Sequence, residues 1–97
     1  MLQYTIDDPI TQPLTYCVEV TITFGDGRKR WCFFATPEAL TACGDWVEGT
    51  RVRVHLGVPH RIVVSELSAE IIDRVLKGLH ATGELEAHTL PLSGEGA

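Results

Sequence analysis

From residue 16 the chain reads Tyr-Cys-Val-Glu-Val-Thr-Ile-Thr-Phe. Tyr16, Val18, Val20, Ile22 and Phe24 fall on one side of this alternation, and Cys17, Glu19, Thr21 and Thr23 on the other. A period of two with β-branched residues predicts a strand with one dry and one wet face. Gly25-Asp26-Gly27 follows, and Asp-Gly is a favoured two-residue hairpin loop. With Asp26-Gly27 as that loop, Ile22 lies opposite Trp31, Val20 opposite Phe33 and Val18 opposite Ala35. The other face pairs Thr23 with Arg30, Thr21 with Cys32 and Glu19 with Phe34. Large apolar side chains then meet on one face, which favours this register over a shift by one residue. The expectation is a core face with Trp31 and Phe33 and a wet face with Arg30, Cys32 and Phe34.

The same periodicities place the remaining elements. Leu2, Tyr4 and Ile6 alternate with polar residues and predict a short first strand. Pro9 and Pro13 make Asp7 to Leu14 a loop, since proline has no N–H for a ladder. Thr36-Pro37-Glu38 opens a short helix, with Thr as cap, Pro in the first position and Glu at the positive end. Gly44 is its expected stop. Trp46 and Val47 are expected to fold back onto the core. Val52, Val54 and Leu56 alternate with Arg51, Arg53 and His55, which predicts a half-buried strand, and Arg61 to Ser65 a more central one. Ser68 caps a long helix whose apolar stripe is Ile71, Ile72, Val75, Leu76 and Leu79; Gly83 ends it. Glu84 to Leu90 reads as a last edge strand or an ordered tail. The order βββαββα(β) predicts an α+β protein with a mainly antiparallel sheet of five or six strands and two helices on one face. A single domain is expected over 1–92, with a disordered tail at 93–97.

Composition narrows the classes. Of 97 residues, 44% are hydrophobic and 22% charged, ordinary for a chain that folds. Apolar runs such as Ile62-Val63-Val64 are far short of the roughly 20 residues of a membrane span, so no membrane partner is expected. Met1-Leu2-Gln3-Tyr4 does not read as a secretory leader, and the expected location is cytoplasmic. Cys17, Cys32 and Cys43 are then expected to be reduced thiols. The net charge is −5, and all eight basic residues lie between Arg28 and Lys77. That balance argues against nucleic acid as the main partner, because such binding draws on phosphate neutralisation.

The candidate chemistry is thin. His55 and His60 flank a tight turn, but no Cys-x-x-Cys or His-Glu-x-x-His spacing accompanies them, and no metal or other cofactor is expected. Cys43 sits near a helix C-terminus, where the dipole disfavours a thiolate. Cys32 has basic neighbours but no general base. Glu70, beside Glu66, is accounted for by helix-start electrostatics. No phosphate loop, nucleophile elbow or dinucleotide fingerprint is present, and no catalytic residue is assigned. The most suggestive set is the expected wet surface of Arg30, Cys32, Phe34, Arg51, Arg53 and His55, where basic and aromatic groups suit an interface or an anionic ligand. The leading expectation is a small non-catalytic interaction or regulatory module that forms a homodimer or binds another protein. The alternatives are a small enzyme or anionic-ligand domain with a site near Arg30, Cys32 and His55, and a nucleic-acid-binding domain. Dimerisation through Phe34 would make Phe34→Arg a folded monomer.

Overall fold

The computed structural model describes residues 2–10, 17–42 and 45–92. Strands β1 (Gln3–Ile6), β2 (Val18–Thr23) and β3 (Lys29–Ala35) form an antiparallel meander. Helix α1 (Pro37–Ala42) and a separate two-stranded ribbon, β4 (Asp45–Trp46) with β5 (Arg53–Val54), carry the chain to β6 (Arg61–Val63). Helix α2 (Ala69–Thr82) and a 3-10 turn over Glu86–His88 lead to β7 (Leu90–Pro91). The main sheet runs β1-β2-β3-β6, and β7 joins the first half of β3. The fold is thus α+β with a mainly antiparallel sheet. One pair, β3 with β6, is parallel, because the crossover through α1 and the ribbon returns the chain in the same direction.

The hairpin register differs from expectation by one residue. Val18 lies opposite Phe34, Val20 opposite Cys32 and Ile22 opposite Arg30, while Thr21 faces Trp31 and Glu19 faces Phe33. The loop has three residues, not two. The Gly27 N–H donates to the Phe24 carbonyl at 3.0 Å, and the Phe24 N–H donates to the Arg28 carbonyl at 2.9 Å. Gly27 has φ of 91°, a region where a side chain would clash with the following carbonyl. A three-residue loop with a left-handed glycine is the alternative hairpin closure, and Gly25-Asp26-Gly27 suits it equally well. Every side chain of β3 therefore changes face.

The core lies between the sheet's inner face and α2. Val18, Val20, Ile22, Cys32 and Phe34 from the sheet meet Leu67, Ile72, Leu76 and Leu85. Helix α2 is held as its sequence predicts. Ser68 Oγ accepts the Ile71 N–H at 3.1 Å. At the other end Gly83 is left-handed, and the Glu84 N–H returns to the Leu79 carbonyl at 2.8 Å. Tyr4 ties β1 to this helix by donating its hydroxyl to Asp73 Oδ1 at 2.7 Å.

Three further expectations change. Trp46 is 53% exposed and Val47 also faces solvent, because the ribbon stands apart from the core. Val52 and Leu56 are exposed as well, so the expected half-buried strand shrinks to Arg53–Val54. The strand from Arg61 lies at the sheet's edge, not its centre. The expected stop at Gly44 and the tail at 93–97 lie outside the described residues.

Candidate interaction surface

The register decides which groups are available. Phe34 and Cys32, expected on a wet face, are fully buried. Burial away from water pushes the Cys32 thiol up to about 12, so it is neutral and unreactive at physiological pH. Arg30 is also occupied. Its Nε donates to Thr89 Oγ1 at 2.7 Å, and its Nη2 donates to the Thr89 and Glu86 carbonyls at 2.9 and 3.1 Å. It fastens the 3-10 turn and β7 to the sheet.

Arg51, Arg53 and His55 come together elsewhere. With Trp46, Leu40 and Thr41 they line a cavity of about 370 Å³ between the ribbon and α1. Arg53 stacks its guanidinium 3.6 Å from the centre of the Trp46 ring, its cross-strand partner. Arg53 also donates to the Ala42 carbonyl at 3.5 Å, and His55 Nε2 lies 2.6 Å from the Leu40 carbonyl. Arg53 and His55 therefore both serve the carbonyl end of α1. The structure thus splits the six expected site residues. Arg30, Cys32 and Phe34 belong to the interior, and Arg51, Arg53 and His55 to this cavity.

The outer face of the sheet carries different residues. Trp31 and Phe33 stand on it, half-buried, with ring centres 6.3 Å apart. The His60 ring packs edge-on against both, at 4.6 and 5.2 Å. His60 Nδ1 is buried and has no hydrogen-bond partner among the described residues. Val63, opposite Ala35, is 48% exposed and extends the apolar patch. Glu19 and Thr21 share this face, and Thr21 Oγ1 donates to Asp7 Oδ2 at 2.7 Å.

Trp31, Phe33, His60 and Arg61 are the surface residues that sequence reasoning missed. The signal that could have found Trp31 and Phe33 is Gly27, whose left-handed conformation in a three-residue loop swaps the faces of β3. A second cavity, about 340 Å³, lies between the hairpin turn and the end of α2, lined by Leu2, Phe24, Leu85, Arg28, His80 and Glu86. Its Arg28 is ion-paired to Asp26 and Glu86 at 2.7 and 3.0 Å.

Among the described residues, no group of three or more His, Cys, Asp or Glu side chains is placed to hold a metal ion, and no helix is long and apolar enough to cross a membrane. No protein-family model matches the chain, and no curated protein or solved structure matches it with significance.

Proposed function

We propose that this chain is a small non-catalytic interaction module that self-associates through the outer face of its sheet. The observation that carries the reading is the Trp31–Phe33–His60 cluster, half-buried on the outer face of the sheet. Aromatic side chains with a rim of charges are the usual make-up of a protein interface. Val63 is exposed on the same face. Asp7 and Glu19 on the same side disfavour a phosphate backbone as its ligand. The buried thiol of Cys32 fits a reducing, cytoplasmic setting.

The magnitude expected is modest. Four strands about 4.8 Å apart, with residues rising about 3.3 Å each, cover a plan of only about 20 × 20 Å. Interfaces that small belong to weak or transient association. Light scattering across a dilution series should show a monomer–dimer equilibrium that favours the dimer by about 100 µM. A mass that stays monomeric throughout would sink the reading.

A second reading rests on the cavity by the ribbon, where Arg51, Arg53, His55 and Trp46 meet. They suit a small anion. Inorganic phosphate should then quench or shift Trp46 fluorescence in wild type but not in Arg51→Ala; no response in either removes this reading.

A further inference from the structure

The outer face is ordered across its strands. The Asp7 N–H donates to the Glu19 carbonyl, which extends the β1–β2 pairing by one residue. Glu19 lies opposite Phe33, and Phe33 opposite Arg61. One row across the sheet therefore reads acid, acid, aromatic, base. Glu19 and Arg61 each stand one strand, about 4.8 Å, from Phe33 on either side. The next row is Thr5, Thr21, Trp31 and Leu90, uncharged throughout.

We infer that the partner on this face is a second copy of the chain, docked about a twofold axis that runs along β3, so that Glu19 of each copy meets Arg61 of the other. The inference rests on the self-association proposed above and adds its geometry. A twofold axis along the strands exchanges the left and right of the row and keeps its height. Glu19 then falls on Arg61 on either side of the axis, Phe33 falls on Phe33 between them, and Asp7 lies outside the matched positions. An axis across the strands keeps left and right, so Glu19 would face Glu19 and Arg61 would face Arg61. Complementary charge favours the first and excludes the second. Isologous contact also requires one patch to complement itself, which Glu19, Phe33 and Arg61 do. Stacked sheets lie about 10 Å apart, a gap that a Glu and an Arg side chain span together.

The test is charge reversal with mixing, followed by light scattering. Glu19→Arg alone opposes two arginines in each pair, and Arg61→Glu alone opposes two glutamates. Each should weaken the dimer about tenfold or more. An equimolar mixture of the two should regain it, because both cross-pairs become attractive again, and the double variant should regain it by itself. Arg61 also donates to the Leu56 carbonyl at 3.0 Å, so its reversal could disturb the fold. Arg61→Gln keeps a donor there and should erase the difference between Glu19 and Glu19→Arg. If the wild type dimerises and the single reversals dimerise equally well, or mixing restores nothing, the axis is wrong while self-association stands. If the wild type is monomeric, self-association itself falls.

Discussion

Arg30 directs its guanidinium at the protein's own backbone, and that decides its role. Its three donated bonds reach Thr89 and Glu86, and Thr89 is itself buried. Arg30→Ala should therefore lower stability by about 2–3 kcal/mol, the scale of hydrogen bonds to a charged group. Amide exchange should rise selectively over 86–90, which a general loss of stability would not produce. Phe34 is the opposite case. As a core side chain, Phe34→Ala should cost about 3–5 kcal/mol in chemical denaturation, and Phe34→Arg should not fold at all. A folded, monomeric Phe34→Arg would contradict the register. At this scale the sequence was informative about type and silent about address. Ser68 and Gly83 do what their chemistry implies, because caps act locally. Whether Phe34 or Phe33 points inward depends on a turn several residues away.

At the scale of elements, that turn shows where local reasoning stops. Strand β3 has large apolar residues on both faces, so its own pattern cannot choose between registers. Cross-strand matching favoured Ile22 with Trp31, while the left-handed Gly27 and the fit of Cys32 and Phe34 under α2 favour the other. By contrast, α2 was legible end to end, since its stripe and both caps agree. The ribbon departs from expectation because the alternation of Val52, Val54 and Leu56 promises burial, yet Val52 and Leu56 stay exposed. The link between β1 and α2 makes a pH prediction. The hydrogen bond from Tyr4, then that from Lys77, holds the Asp73 carboxyl below its ordinary value. A lowered carboxylate contributes stability above the unfolded value of 3.8 and loses it as pH falls through the folded one. The Tyr4 hydroxyl is raised, first by its bond to Asp73, then by burial and the carboxylate's charge. Its contribution holds below 10.0 and disappears as pH climbs through the raised value. Denaturation midpoints of wild type and Tyr4→Phe should thus differ at neutral pH and converge at both extremes. A constant gap across the range would mean the bond carries none of the pH dependence.

At the scale of the whole molecule, the two tryptophans report on different things. Trp46 lies under Arg53 on the exposed ribbon, and Trp31 lies on the outer face. In Trp46→Phe the remaining emission comes from Trp31 and should move to shorter wavelength as protein concentration rises. An emission maximum independent of concentration would place Trp31 outside the contact. The topology also has a consequence in time. Strand β3 pairs early with β2 but receives its other neighbours only from residues 61–63 and 90–91. On a ribosome adding about 5–20 residues per second, roughly 2–10 s separate the emergence of the hairpin from that of α2. Through that interval Val20, Ile22 and Phe34 are displayed bare to the crowded cell, beside an unclaimed strand edge. The nascent chain is thus stickiest well before it can fold, and it is then, rather than in its finished form, that a chaperone would have most to hold.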